Sequence, residues 1–314
     1  MAKYLLKRIL VALVTLIGIT VIDYWLMNLA GDPVKMMAGP KANAAALALK
    51  AEELGMDQPV IVRYFRWLSA VLHGDLGISY KSYEAVSDMI ASHLGPTLAL
   101  MGTALLVSLA IAVFFGIYSA VHQHTKRDYV IVSLAFFGQS VPGFFLALVL
   151  VYVFSIRLGW LPSSGMRQLG TAGSGIQGRY MVLPVLVLAL SEAGNNIRYI
   201  RSSMLEILNR DYMRTAKGKG IGHFLTIYKH GLRNALIPII TVIGMEIPAM
   251  FGGSIIVEEI FSWPGLGLMT MSAVLSRDVP VIMGSCLLSA VVVLVSNLVV
   301  DILYALADPT IRLQ

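Results

Sequence analysis

Four carboxylates stand where carboxylates are costly. Asp23, Glu192, Glu246 and Asp301 each interrupt a run of otherwise apolar residues. Acids in such runs turn inward, either to hydrogen-bonding partners or to a water-filled path, where they attract ammonium groups and other cations. Counting along the runs puts Glu192 and Glu246 near the middle, Asp23 toward one end and Asp301 near the other. For Glu192, Asn195 and Glu246 two roles stay open: pairing between helices, or lining a translocation pathway. Asp301 reads as an interfacial anchor. The second polar cluster is Asp211-Tyr212-Met213-Arg214-Thr215-Ala216-Lys217-Gly218-Lys219-Gly220. Its small residues Ala216, Gly218 and Gly220 let another backbone come close, which suits a docking element. It lacks the spacing of a phosphate loop, and neither a His-Glu-X-X-His zinc site nor a Gly-X-Ser-X-Gly elbow occurs in the chain. The single Cys286 excludes an internal disulfide and a cysteine metal cluster. No catalytic set and no metal site is legible.

The elements that position these groups follow from composition. Of 314 residues, 57% are hydrophobic and 13% charged, against ~25% charged in an average soluble domain. Such a chain cannot give itself a charged exterior, which excludes a soluble enzyme and calls for lipid. A net charge of +6 would suggest nucleic acid in a soluble chain; in a membrane protein the sidedness of the charges is what matters, and no nucleic-acid partner is expected. A spanning helix needs ~20 mostly apolar residues. Six spans are expected, over about 9–29, 97–121, 129–156, 180–200, 234–257 and 281–305, the first, fourth and fifth tolerating Asp23, Glu192 and Glu246. The fold class is therefore all-α integral membrane, one domain over 1–314.

Six spans put both termini on one face. Lys3, Lys7 and Arg8, then Lys126 and Arg127, then the basic cluster in 198–233 all fall on that face, and only Arg157, Arg167, Arg179 and Arg277 occupy the short loops opposite. The positive-inside rule makes both termini and the 201–233 connection cytoplasmic, and by itself accounts for much of that connection's charge. Trp25, Trp67, Trp160 and Trp263 fall at or beyond the outer ends of spans, where aromatic rings favour the interface. The first apolar run reads as a span and not a cleaved leader, being long and carrying bulky Asp23-Tyr24-Trp25 where small cleavage-site residues would stand.

The long connection 30–96 reads as a small outer helical subdomain. One helix is expected over 41–54, closing at Gly55. A second is expected from Pro59 to before Gly74, with Ile61, Phe65, Leu68 and Leu72 on one face and Arg63 and Arg66 off it. That face suits either the bundle and headgroups or an external partner. Gly173-Ser174-Gly175 marks a flexible outer loop.

The chain also resembles, end to end, the membrane subunits of binding-protein-dependent ABC importers of the oligopeptide, dipeptide and nickel permease group. The matching residues are Tyr4-Leu5-Leu6-Lys7-Arg8, Ala30-Gly31-Asp32-Pro33, Leu54-Gly55-Met56-Asp57-Gln58-Pro59, Gly74-Asp75-Leu76-Gly77-Ile78-Ser79 and Gly159-Trp160-Leu161-Pro162-Ser163-Ser164-Gly165. They continue through Asp211-Tyr212 to Gly220, Arg233-Asn234-Ala235-Leu236-Ile237-Pro238, Phe261-Ser262-Trp263-Pro264-Gly265-Leu266-Gly267 and Asp308-Pro309. The resemblance implies a type I permease fold, with 201–233 as the coupling loop that docks on an ATPase. By position, Arg214-Thr215-Ala216 and Gly220 occupy the family's Glu-Ala-Ala and glycine places, so the acidic first residue is absent, and Gly218 stands where this branch commonly has Ala. The docking set is Asp211, Tyr212, Arg214, Thr215, Ala216, Lys217, Gly218 and Gly220. Also implied are a homologous second permease subunit, two ATPases that bind ATP and Mg, an external solute-binding protein, and the cytoplasmic membrane of a bacterium or archaeon. This chain then holds no cofactor and is no enzyme. Peptides are the implied cargo, with nickel or another metal chelate as the alternative; an ion-coupled carrier using Glu192 and Glu246 is the reading from another class.

Overall fold

The computed structural model describes residues 2–29, 49, 51–52, 57–168, 175–220, 222, 225, 227 and 231–307. The expected helix over 41–54 lies outside them except at 49, 51 and 52, as do the motifs at 30–33 and 308–309. The helices are α1 (Ala2–Leu29), α2 (Val60–Leu72), α3 (Val86–Val121), α4 (Lys126–Ser140), α5 (Gly143–Leu150, continued by the π-helical Val151–Arg157), α6 (Gly178–Leu208), α7 (Asp211–Gly218), α8 (Leu232–Ile260), α9 (Leu266–Ser276) and α10 (Val279–Ala307). Extended pairing among the described residues is one antiparallel bridge between Ile78 and Ala85. Among the described residues, four helices are long and apolar enough to cross a bilayer: α1 over Leu6–Leu29, α3, α6, and α10 over Val279–Tyr304. The bent pair Lys126–Ser140 and Gly143–Arg157 makes a fifth if its halves count as one span. Helix α8 is 29 residues long and contains a shorter apolar stretch at Ile237–Pro248.

Three boundaries depart from the sequence expectation. Helix α3 begins at Val86 and runs through Pro96, so 86–96 is helix and not loop; a proline in a membrane helix costs little when neighbours satisfy the freed carbonyl. Helix α6 continues to Leu208, so 201–208 is helix and the connection proper starts at Asn209. The expected third span is broken between Ser140 and Gly143 and bent by 98°. Its cause is local: Pro142 pushes the preceding residue out of the helical region, and Val141 has φ −87° and ψ 119°.

Contacts divide the chain into two compact units, Met1–Pro96 with Pro264–Leu294, and Thr97–Trp263 with Val295–Gln314. In the first, α2 packs on the C-terminal part of α1. The Tyr64 hydroxyl lies 3.0 Å from Thr20 Oγ1, Tyr24 meets Tyr64 edge-on at 5.5 Å, and Arg63 donates to Asn28. Ile61, Phe65 and Leu72 of α2 stay exposed. Beyond α2 the chain turns at Gly74 and Gly77, both at positive φ, and closes on buried Asp278. That carboxylate accepts from Ser79 Oγ at 2.5 Å and from Tyr80 N at 3.0 Å. Burial, with the Asp278 charge adding to it, pushes the Tyr80 phenol up to about 12.

The second unit is built around α6, which buries residues along most of its length, from Leu183 to Met204. One core gathers Leu100, Ala104, Ala147, Leu183, Val187 and Trp263; a second gathers Ala112, Ala135, Ile197, Ile200 and Val242. Lipid is as apolar as these side chains, so close packing must hold the helices together. Gly194 shows how close: a Cβ there would overlap the Ala135 carbonyl oxygen of α4. Trp263, expected at the interface, is fully buried in this core. The turn after α8, with Ser262 at φ 46°, tucks the indole inward while its backbone N–H donates to Glu258 O at 2.8 Å. Trp25 and Trp160 are exposed.

Candidate functional site

Residues 191–198 of α6 form a polar stripe inside an apolar helix. At 3.6 residues per turn, Asn196 and Glu192 take one edge, Asn195 the middle, and Ser191 with Arg198 the other edge. On the first edge the Asn196 amide donates to Glu246 Oε1 of α8. Glu246 is 4% exposed, and its second oxygen, Oε2, is buried without a hydrogen-bond partner among the described residues. Glu192 is half-buried and close enough for its charge to bear on Glu246. Asn195, in the middle, is exposed. The opposite edge belongs to Arg198, which the sequence grouped with the cytoplasmic connection. Its Nη2 donates to Gln139 Oε1 at 2.5 Å and to Asn195 Oδ1 at 3.2 Å, and its guanidinium lies 4.3 Å over the Phe136 ring. Helical side chains lean toward the N-terminus, so this cation points away from α7, along a face where Gln139, Asn195 and Phe136 are exposed.

One turn further along α6 is Arg201. Its Nε and Nη2 hold Asp128 at 2.7 and 2.8 Å. Asp128 also accepts from Ser119 Oγ at the end of α3 and from His124 N at 3.1 Å. Thr125 caps α4 by accepting from Asp128 N, while the Asp128 carboxylate reaches back to His124 N, one residue before the cap. The end of α3, the start of α4 and the body of α6 meet on one carboxylate here. Sequence reasoning missed this clamp although Thr125-Lys126-Arg127-Asp128 carries the capping spacing. It also missed Asn196 and Gln139, whose partners are distant in the chain and leave no local signal.

From the clamp, α6 leads through Asn209 and Arg210 into α7. Asp211 opens α7 and is exposed, with Arg214 Nη1 3.9 Å from its carboxylate. Thr215 Oγ1 donates back to Asp211 O at 3.0 Å. Tyr212 is 41% exposed beside the fully buried Met213, and burial raises its phenol above the ordinary value, with Arg210 opposing. Ala216 and Lys217 continue the helix. Gly218 is exposed, a Cβ there would meet nothing within 4 Å, and Gly220 turns the chain at φ +77°. The surface of α7 thus carries exposed polar groups and an open glycine, with Met213 anchoring it from below.

Residues 112–313 match the family described as "Binding-protein-dependent transport system inner membrane component", and residues 1–101 match the N-terminal family of the same membrane components. The oligopeptide transport system permease protein AppB of Bacillus subtilis is 41% identical over 99% of this chain and 100% of its own length. The glutathione transport system permease protein GsiC of Salmonella paratyphi A is 40% identical over 99% of both chains. A solved amino acid ABC transporter chain, crystallised with histidines, matches 70% of this chain and 92% of its own at TM-score 0.49 and 17% identity. The chain therefore belongs to the family of inner-membrane components of binding-protein-dependent transport systems, as a multi-pass transport subunit of the ABC permease kind.

Proposed function

We propose that this chain forms half of the translocation pathway of an ATP-driven importer for di- or oligopeptides, with Glu192, Asn195 and Glu246 lining that pathway. It crosses the membrane six times with both termini cytoplasmic, α8 supplying one span and the bent α4–α5 pair another. A homologous second permease completes the channel, two ATPases below bind ATP and Mg, and an external binding protein delivers cargo. Helix α7, with Asp211, Tyr212, Arg214, Thr215, Ala216, Lys217, Gly218 and Gly220, is the ATPase-docking element.

The observation that carries this is α6. One unbroken helix of 31 residues joins the polar stripe to the connection that ends in α7, so a push on α7 reaches the stripe through a stiff rod. ATPase closure displaces α7, the Arg201–Asp128 clamp carries α3 and α4 along, and the stripe changes the side to which it opens, a rigid-body transition. Peptide cargo rests on the relatives, which are named for oligopeptides and for the tripeptide glutathione.

The test uses the open face of α7. A Cβ at Gly218 meets no described atom within 4 Å, and Gly218→Leu replaces a poor helix former by a good one. The variant should insert and melt normally while peptide uptake by the assembled importer falls to background, because the bulk stands where the ATPase groove must close. Uptake at the unmodified rate would remove α7 from the docking role.

A further inference from the structure

The pathway reading leaves Arg198 unexplained. Among the described residues no carboxylate lies within ion-pair distance of it. Its partners are neutral Gln139 and Asn195 and the Phe136 ring, and its Nε is buried without a hydrogen bond. A guanidinium without a counter-charge on a membrane-spanning helix is costly to hold. A structural role alone, pinning α4 to α6, would be served as well by an uncharged side chain reaching Gln139. At the other edge of the stripe the imbalance has the opposite sign: Glu246, bonded to Asn196, keeps a buried oxygen without a partner among the described residues, and Glu192 shares the Asn196 edge of α6. Exposed Asn195 lies between the two edges.

The geometry points to a stripe that reads a zwitterion, with Arg198 receiving the C-terminal carboxylate of a short peptide and Glu246 with Glu192 receiving its terminal ammonium. This deepens the pathway reading and rests on it. The spacing suits the ligand. Glu192 and Arg198 are six positions apart on α6, about 9 Å of rise at 1.5 Å per residue, and a peptide of two or three residues spans ~7–10 Å at ~3.5 Å each. The guanidinium offers a planar pair of donors matched to a carboxylate. Asn195 adds an amide for the peptide backbone in between. Such a site asks nothing of the cargo side chains, which suits a channel whose selectivity is exercised before cargo arrives.

The test uses the whole importer in vesicles, with trialanine as free acid and as C-terminal amide, each pre-loaded at matched occupancy on the importer's own external binding protein. The quantity read is the ratio of the two uptake rates. In the unmodified importer the free acid should be favoured, and Arg198→Gln should lower the ratio about tenfold, the worth of one charge-assisted hydrogen bond. Arg198→Lys, which keeps the cation and loses the planar fork, should give an intermediate ratio, and it carries the test alone if Arg198→Gln fails to assemble. A ratio the substitutions leave unchanged, whatever the absolute rates, overturns the proposal. The pathway reading is checked separately with Asn195→Cys in a Cys286→Ser background. If that cysteine is inert to a water-soluble thiol reagent during turnover, the pathway reading fails; if it reacts while the ratio stands, only the Arg198 assignment falls.

Discussion

Arg201 and Arg198 are one turn apart on the same helix, yet their surroundings differ in kind. Arg201 grips the buried Asp128 with two nitrogens, and Ser119 and His124 supply further donors to that carboxylate. Arg198 has an amide on either side, an aromatic ring beneath it and no counter-charge among the described residues. Glu246 and Asp128 repeat the contrast among the acids, one with an oxygen left over and the other saturated. A saturated ionic network has nothing left to offer a passing molecule and serves to hold helices in register. A network short of partners holds unspent hydrogen-bonding capacity, which is what a binding surface needs.

The contrast can be broken most sharply at the clamp. Arg201→Ala leaves the Asp128 carboxylate, with 3% of its side chain exposed, without its cation. Because the Arg201 side chain is itself 23% exposed, the loss should fall at the low end for a broken buried pair, about 3 kcal/mol. A fall in the melting temperature of the purified subunit in detergent would show it, and an unchanged melting temperature would mean that the clamp holds nothing. Next in size is Gly194→Val. The added carbons collide with the Ala135 backbone, so α4 must move off α6 at a cost of about 1–3 kcal/mol, seen as lower thermal stability and freer proteolysis near residue 135. Smallest is Glu246→Gln, which keeps an acceptor for Asn196 and removes a charge with an unpaired oxygen. Stability should stay within about 1 kcal/mol of the parent or rise, while peptide uptake drops. A large loss of stability with uptake per folded molecule unchanged would move Glu246 to the structural side of the comparison.

The apolar runs made most of the long helices legible, because lipid-facing residues announce themselves. Helix lengths were less so. Hydropathy marks where lipid is and not where a helix stops, so α3 and α6 run past the boundaries drawn from it at 97 and 200. The break at Ser140–Gly143 was present in the sequence as Pro142, yet an apolar run on both sides concealed it. Among the site residues, Glu192 and Glu246 stood out by contrast with their neighbours. Asn196 did not, since its partner is 50 residues away, and Arg198, counted with the connection that follows, gave no sign of its contacts with Gln139 and Phe136 of α4. Trp263 shows the same limit: its position relative to the spans could be counted, whereas its burial depends on how a turn folds back.

The bend between α4 and α5 separates what a straight span would unite. Ala135 of α4 packs with the group around Ile197 and Ile200, while Ala147 of α5 packs with the group around Leu183 and Trp263. A continuous rod passes any rocking of its inner end to its outer end; two pieces meeting at 98° through an extended Val141–Pro142 do not. The piece that carries Ala135 can thus tilt without dragging the piece that carries Ala147.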